Sequence, residues 1–296
     1  MPKIVIIGES GQLARSLKNL RWPAGSDLAF VGRQRLLTGF LDVAARSAIE
    51  DFRPDLVLNA AAYTGVDRAE SEHDAASDLN ARLPLGLAEA CGALDIPLVH
   101  ISTDYVFDGD KGRPYLEADS PNPLSVYGAT KLEGDRNVER AGLRRWAILR
   151  TSWVISEIGE TFPVRVLRRA RAGEALRVVD DQWGCPTASS DLARAMQSVG
   201  LKLLAGDPAA SGLFNFCGAS EMSWHGLADK LLAAAAAEGL KRPPLRAIAS
   251  SEFKAPARRP AYSVLSCERI GQTYGISGPE IEADIDRLVR AVLAGL

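Results

Sequence analysis

The sequence predicts an α/β fold, in which a doubly wound parallel sheet carries helices on both faces and a smaller α/β lobe accompanies it. Short β-branched or aliphatic runs recur through the first half of the chain, and stretches with helical periodicity separate them. Apolar strands that alternate with helices form parallel sheets buried on both faces. The strand-like runs are 4–7, 28–31, 56–58, 98–101 and 147–149, and the helical stretches are 12–20, 44–52, 75–91 and 127–141.

After residue 151 the pattern is less regular. It predicts a loop at 159–163, a basic amphipathic helix at 164–172, a turn-rich segment at 180–186, a helix at 191–204, a strand at 213–217 and a Pro/Arg-rich stretch at 242–260. We expect residues 1–150 to form the main domain, with later returns near 187–217. Residues 151–296 should form mainly the smaller, substrate-binding lobe, packed against the main domain because no Gly/Ser-rich linker separates the two.

The composition excludes several classes of protein. Of the 296 residues, 47% are hydrophobic and 24% are charged, and 35 basic against 37 acidic residues leave a formal net charge of −2. A disordered chain is therefore not expected, nor one that binds nucleic acid or an anionic membrane through a long-range field. The longest apolar run, residues 231–237, is far shorter than the roughly 18 residues of a membrane span.

The cysteines and histidines show no metal-binding pattern. Cys91, Cys185, Cys217 and Cys267 lie far apart in the sequence without a CxxC pair, and the 3 histidines have no mutual ligand spacing. We expect free thiols, a reducing compartment and no metal site. The N-terminal sequence MPKIVIIGES lacks the features of a signal peptide, so a cytoplasmic location is expected.

A glycine-rich turn directly follows the first predicted strand. Residues 8–14 read GESGQLA, with Gly8 and Gly11 flanking Ser10, and Gln12 and Leu13 opening the first helix. Glycines at such a turn let backbone N–H groups approach a pyrophosphate closely, and the helix N-terminus adds partial positive charge. Because of its place between strand and helix, this motif predicts a dinucleotide-binding Rossmann domain. The alternative is a glycine-rich turn that binds nothing.

The end of the second strand favours NADP over NAD. An NAD site usually places an acid here against the adenosine 2′-hydroxyl, whereas this chain continues with Gly32 and Arg33. Arg33 can pair with a 2′-phosphate, unless it is a solvated loop charge or Arg35 takes that role. Asp42 is placed either to approach the adenine or to cap a surface helix. NADPH is thus the expected cofactor, with NADH as the alternative.

Small residues follow the third strand, where Asn59 is succeeded by Ala60, Ala61, Ala62 and Tyr63. A nicotinamide and its ribose could pass close to the backbone at such a position. Tight packing of strand against helix would explain the alanines equally well.

Tyr127 and Lys131 indicate the chemistry. Four residues apart on a helix, they project from one face, and a nearby ammonium is expected to lower the pKa of the tyrosine towards useful proton transfer. Thr103, at the end of the fourth strand, offers a hydroxyl to the substrate oxygen that Tyr127 protonates. The alternative is a surface Tyr/Lys pair and a strand-end cap.

At these residues the chain resembles the extended short-chain dehydrogenase/reductase family, and most closely its dTDP-4-dehydrorhamnose reductase branch. The resemblance implies that Thr103, Tyr127 and Lys131 are catalytic, that Trp153 contacts the substrate, and that Asp104 belongs to the sugar site. The matching segments, in family order, are GESGQLA, RPDLVLNAAAYTGVDRAESE, HISTDYVFDG, NPLSVYGATKLEGD, LRTSWV, DQWGCPT and SWHGLA.

The resemblance further implies NAD(P)H-dependent reduction of the 4-keto group of a nucleotide-linked 6-deoxyhexose, with Arg259 at the diphosphate, and a homodimer. Tyr262 and Val264 depart from the family pattern in a segment that helps hold the sugar nucleotide. Some members hold magnesium at a dimer contact, but Arg15 replaces the acid that some of them carry after the glycine loop, so magnesium stays open.

Two alternatives stand beside this reading. A related sugar-nucleotide reductase, epimerase or dehydratase would act on a different sugar, and the epimerase and dehydratase would retain NAD. A non-catalytic NADP-binding subunit, like the regulatory subunit of methionine adenosyltransferase, would have lost turnover, although Thr103, Tyr127 and Lys131 are intact.

Overall fold

A six-stranded parallel sheet forms the centre of the molecule. The computed structural model describes residues 1–36 and 41–295, with the side chains of residues 33, 36, 41, 42 and 283 outside the description. The strands follow the spatial order β2-β1-β3-β4-β5-β10. They are β1 (Lys3–Ile7), β2 (Asp27–Val31), β3 (Leu56–Asn59), β4 (Leu98–Thr103), β5 (Trp146–Thr151) and β10 (Gly212–Asn215).

Each face of the sheet has its own apolar core, as the two-residue period of a strand requires. In β1, Ile4 and Ile6 pack against α1, α9 and α11, whereas Val5 and Ile7 pack against α3, α6 and α7. The helices of the first face are α1 (Gln12–Lys18), α9 (Ser189–Leu204) and α11 (Glu268–Tyr274), and those of the second are α3 (Leu41–Phe52), α6 (Leu83–Ala93) and α7 (Val126–Arg140). The predicted doubly wound α/β class is confirmed.

The direction of winding reverses between β1 and β3, because the chain leaves β1 for β2 on one side and returns to β3 on the other. In open α/β sheets, ligands bind outside the carboxyl ends of the strands at such a switch point. The ends of β1, β3 and β4 therefore indicate where a site should lie.

Most of the remaining elements lie around or beside a third apolar core. They are the helices α8 (Phe162–Arg171), α10 (Trp224–Ala237) and α12 (Glu282–Gly295), and the short strands β6 (Val154–Ile155), β7 (Leu176–Val179), β8 (Trp183–Gly184), β9 (Thr187–Ala188), β11 (Met222–Ser223) and β12 (Leu245–Ile248). β8 and β9 contribute no residue to this core. β12 pairs in parallel with β7. The short helices α2 (Arg33–Leu36), α4 (Val66–Ala69) and α5 (His73–Ser77) belong to the loops after β2 and β3.

The predicted helical stretch over 75–91 is confirmed in extent, but it is not one uniform α-helix. The chain forms α5, then a π-helical turn over Asp78–Arg82, and only then α6. Pro84 has no N–H to donate to the carbonyl of Asn80, which removes an α-helical hydrogen bond at this point. The side chain of Asn80 is buried in this turn, and it makes hydrogen bonds with the backbone of Tyr63 and with the hydroxyl of Thr130.

Two further features bear on the predictions. Within the described ranges, every helix is too short or too polar to cross a bilayer. All four thiols are free, although Cys217 and Cys267, far apart in sequence, bring their Sγ atoms to 3.5 Å.

Candidate active site

A single cleft of about 1110 Å³ runs along the carboxyl ends of the strands. It is larger than the roughly 300–1,000 Å³ of a typical small-molecule pocket, so it has room for a dinucleotide and a second ligand. Of the predicted site residues, it gathers Gly8, Ser10, Gly11, Gln12, Leu13, Ala60, Ala61, Ala62, Thr103, Asp104, Tyr127, Lys131, Trp153 and Arg259.

The glycine loop forms one end of this cleft and fits a dinucleotide. Gly8 has φ +109°, a conformation that favours glycine, and a Cβ there would lie 3.4 Å from Ala61 N. A Cβ on Gly11 would meet only open space, so this part of the loop leaves room for a bulky diphosphate. The loop and the small residues after β3 thus form the cradle that a dinucleotide needs.

At the end of β2, where the adenosine of a dinucleotide is expected, the structure differs from the sequence prediction that no acidic residue is present. Glu9, on the glycine loop, brings Oε2 to within 2.3 Å of where a Cβ on Gly32 would stand. The carboxylate missing from the end of β2 is therefore supplied from the neighbouring loop. The side chains of Arg33 and Asp42, which the sequence analysis assigned to this end, lie outside the described residues.

Tyr127 and Thr103 meet because α7 packs tightly against the turn after β4. Ser125 caps the helix, accepting from Gly128 N at 3.2 Å. A Cβ on Gly128 would lie 2.2 Å from Tyr105 O, so only glycine permits this approach. Tyr105 and Tyr127 meet edge to face, with 5.8 Å between ring centroids.

The pKa of Tyr127 is not lowered, contrary to the expectation. Burial and the charges of Asp104 and Asp135 raise it to about 12, and the hydrogen bond with Thr103 opposes this. Lys131 Nζ instead donates to Ile101 O at 2.6 Å, and burial lowers the pKa of Lys131 to about 8.

Asp104 anchors Thr103 from behind. Its Oδ1 accepts from Thr103 Oγ1 and its Oδ2 from Ser152 Oγ, both at 3.0 Å. Burial raises the pKa of Asp104 to about 6, against the effect of the hydroxyls of Ser263, Ser152 and Thr103. The hydroxyl of Thr103 is thus oriented by a group that changes charge near neutral pH.

Trp153 and Arg259 line the cleft with partners of their own. Trp153 has φ +44° and stacks on Trp224 at a centroid distance of 3.5 Å. Arg259 makes two 2.9 Å hydrogen bonds to the carboxylate of Asp67, and this pairing lowers the pKa of Asp67. An anion that approached Arg259 would compete with Asp67.

Gly32 and Tyr63, two predicted cofactor residues, are not in the cleft wall of the described structure. The Tyr63 hydroxyl donates to Glu72 Oε2, and Arg68 lies over the ring. Across the described part of the chain, no group of three or more His, Cys, Asp and Glu side chains could hold a metal ion.

Several residues that line the cleft are not among the site residues predicted from the sequence. Arg165 and Arg169 face the cleft from α8, Trp224 from the start of α10, and Phe253 from the turn after β12. The spacing of four between Arg165 and Arg169 on a helix recognised as basic was a signal that could have located the first two.

The site geometry agrees with what comparison to known proteins finds. The family described as "RmlD substrate binding domain" matches residues 2–294. A dTDP-4-dehydrorhamnose reductase of Sinorhizobium fredii is 38% identical, with 98% of each chain covered. A probable dTDP-4,6-dihydroxy-2-methyloxan-3-one 4-ketoreductase of Streptomyces antibioticus is also 38% identical, covering 90% of this chain and 87% of its own.

A solved structure gives the same result for the fold. The dTDP-4-dehydrorhamnose reductase of Bacillus anthracis, in complex with NADP, superimposes with a TM-score of 0.88 at 29% identity, covering 97% of this chain and 98% of its own. The resemblance stated from the motifs is confirmed. The chain therefore belongs to the RmlD substrate binding domain family, among relatives named dTDP-4-dehydrorhamnose reductases.

Proposed function

We propose that this protein is an oxidoreductase that reduces the 4-keto group of dTDP-4-dehydrorhamnose, giving dTDP-L-rhamnose at the expense of NADPH. The observation that carries the proposal is the meeting of Tyr127 with Thr103 in one cleft with the glycine loop. That arrangement places a proton donor and an oxygen-binding hydroxyl beside a dinucleotide cradle. The names of the relatives supply the substrate.

Tyr127 gives its proton to the C4 oxygen of the sugar, and Thr103 donates a hydrogen bond to the same oxygen as negative charge develops there. In the free protein this hydroxyl donates its one proton to Asp104 Oδ1, so it turns from Asp104 to the sugar oxygen when the substrate binds. A phenol with a pKa of about 12 is protonated at neutral pH, as a proton donor must be.

NADPH, when bound, supplies the hydride. The backbone of Gly8, Ser10 and Gly11 would hold its diphosphate, while Lys131 would hold the nicotinamide ribose. Two observations bear on the cofactor and point in different directions: a relative binds NADP, which favours NADPH, and Glu9 stands at the adenosine end, which favours NADH.

The sugar nucleotide would occupy the half of the cleft opposite the glycine loop. Trp153 and Trp224 offer an aromatic surface to the sugar, and Asp104 offers a carboxyl group. Arg259 meets the diphosphate once that anion displaces Asp67.

The test is NADPH oxidation, followed by absorbance, with dTDP-4-dehydrorhamnose generated in situ. We expect Tyr127→Phe to lower kcat by about 10²–10⁴-fold, the usual contribution of a general acid. Tyr274→Phe, at a hydroxyl bound to Ala210 O, is the control and should turn over normally. Normal turnover by Tyr127→Phe would refute the proton-donor role.

A reductase acting on a different dTDP-linked keto sugar is the second candidate, since the Streptomyces antibioticus relative is also 38% identical, over 271 residues. Tyr262, one of the departures from the family pattern, donates to Glu221 at 3.0 Å, and Val264 is buried in an apolar cluster. Neither residue is part of the cleft wall in the described structure. Folded protein that binds NADPH but ignores dTDP-4-dehydrorhamnose would favour this candidate, and NAD retained through purification would favour an epimerase.

We also infer a homodimer, from the family resemblance, and a reducing, cytoplasmic location, which the four free thiols support. Sedimentation of the purified protein tests the first. Fractionation of the native cell tests the second.

A further inference from the structure

A buried charged cluster adjoins Lys131 further along α7. His100 on β4, Asp135 on α7 and Arg150 on β5 are each at most 3% exposed. Lys131 Nζ lies 3.3 Å from His100 Nε2, and that nitrogen lies 4.0 Å from Asp135 Oδ1. Asp135 Oδ2 accepts from Arg150 Nε at 3.1 Å. Tyr127, Lys131 and Asp135 follow one another at intervals of four, so they share one face of the helix.

The cluster is poorly arranged for stability alone. Burying an ionised side chain costs several kcal/mol unless pairing and hydrogen bonds satisfy it. Here Asp135 Oδ1 and Arg150 Nη1 are buried without a hydrogen-bond partner among the described residues. Buried polar atoms left unsatisfied in a folded protein call for an explanation, and a role at the neighbouring site is one.

The proton of His100 has a fixed position. Ala61 N donates to Asn59 Oδ1 at 3.1 Å, which orients the amide so that Asn59 Nδ2 faces His100 Nδ1 at 3.0 Å. Nδ1 must then accept, and in the neutral ring the proton lies on Nε2. Burial and the charge of Lys131 hold the pKa of His100 well below its usual value, so the ring is neutral at neutral pH.

The Nε2–H of His100 therefore points at Lys131 Nζ. An ammonium has donors only, so it is opposed by this N–H, whereas a neutral amine can accept from it. Asp135 Oδ1, 4.0 Å from His100 Nε2, is beyond hydrogen-bond distance, so it attracts this N–H only through its negative charge. Asp135 acts the other way, because its negative charge raises the pKa of Lys131 against the effect of burial.

We propose that His100 and Asp135 are positioning residues that hold Lys131 in place and set, in opposite directions, how readily it carries its proton. The inference rests on the proposed role of Lys131 in holding the cofactor ribose. The titratable groups around Lys131 are Tyr127, Asp135 and, one turn further, Glu139 on α7, His100 on β4, Arg150 on β5 and Asp104 in the turn after β4.

The experiment is the pH profile of kcat between pH 6 and 10. Activity should fall at alkaline pH as Lys131 loses its proton. In Asp135→Asn the charge that favours the ammonium is gone, so the alkaline limb should move to lower pH by at least half a unit, about threefold in proton affinity. In His100→Gln an amide oxygen can accept from the ammonium, so the limb should move to higher pH.

Glu133→Gln is the matched control, because Glu133 is exposed on the same helix and the variant changes the net charge equally. Its limb should coincide with that of the wild type. A folded Asp135→Asn protein with a wild-type limb, or an equal shift in Glu133→Gln, would overturn the proposal. Asp135→Asn removes the partner of Arg150, and this variant could fail to fold. In that case the test rests on His100→Gln and on Asp135→Glu, which keeps the negative charge and should keep the alkaline limb of the wild type.

The pH dependence of the NADPH dissociation constant, measured by cofactor fluorescence, separates this inference from the proposed reaction. A protein that does not reduce dTDP-4-dehydrorhamnose can still show the opposite shifts in NADPH affinity. NADPH affinity that is independent of pH in the wild type and in both variants would overturn the role of His100 and Asp135.

Discussion

The carboxylate of Glu9 lies beside Gly32, just after β2 ends. We propose that the adenosine of the cofactor binds at this turn, and NADPH differs from NADH by a 2′-phosphate on that adenosine. A negative charge there repels a 2′-phosphate and can accept a hydrogen bond from a 2′-hydroxyl. Glu9 is exposed, so water and salt screen its effect.

We expect Glu9→Gln to raise the ratio of kcat/KM for NADPH over NADH by about 3–10-fold, equivalent to roughly 1 kcal/mol of relieved repulsion. The measurement compares both cofactors at low and at physiological salt, and the gain should shrink as salt increases. Glu133→Gln, which removes an exposed acid away from Gly32, serves as the control. An unchanged ratio would show that Glu9 does not act on the cofactor.

For individual site residues, the spacing of residues along one helix was the signal that allowed prediction from the sequence. Tyr127 and Lys131 were predictable because both lie on one helix, where sequence distance determines the shared face. Glu9 was not, since its reach to Gly32 depends on how two loops pack. Asp135 continues the spacing of four, but its importance depends on His100 and Arg150, which come from two different strands.

Among the elements, α7 carries the proposed catalytic residues Tyr127 and Lys131, and Gly128 determines how closely the helix approaches the turn after β4. Gly128→Ala would drive a methyl group into the carbonyl of Tyr105, which belongs to the backbone and cannot rotate away.

We expect Gly128→Ala to destabilise the protein by about 1–3 kcal/mol, as overpacking does, and to lower kcat because Tyr127 moves away from Thr103. Thermal unfolding and turnover measure the two effects. Gly92→Ala is the control, because a Cβ there would make only a 3.6 Å contact with Ala141 O, so better helix propensity should leave stability equal or improved. Equal melting temperatures for the two variants would refute the packing argument.

The strands of the main sheet were predictable because they are apolar runs buried on both faces. The third core was not, because its strands are short and β12 lies in a Pro/Arg-rich stretch for which no strand was predicted. Its pairing partner β7 precedes it by about 70 residues, and local pattern does not reveal such a partner.

For the whole molecule, we assign the two halves of the cleft to different ligands, the cofactor and the sugar nucleotide. The glycine loop and the ends of β3 and β4 form one half, and α8, α10 and the turn after β12 form the other. Removing a charged side chain from one half should therefore change the KM for the ligand bound there and leave the KM for the other ligand unchanged.

Arg165→Ala should raise the KM for the sugar nucleotide by about tenfold, the effect of losing one charge-assisted contact to a diphosphate. The KM for NADPH should stay within twofold. Arg171→Ala, exposed on the same helix, is the control and should change neither constant. A rise in the KM for NADPH alone would reverse the assignment of the two halves.

The position of β10 at the edge of the sheet has a consequence for biosynthesis. β10 pairs with β5 through Gly212 and Ala147, which are 65 residues apart in the chain. At a translation rate of about 5–20 residues per second, β5 is synthesised roughly 3–13 s before β10. During that interval the nascent chain exposes an open strand edge, a template for pairing with other chains. Chaperone demand on the ribosome should therefore peak between the emergence of β5 and that of β10.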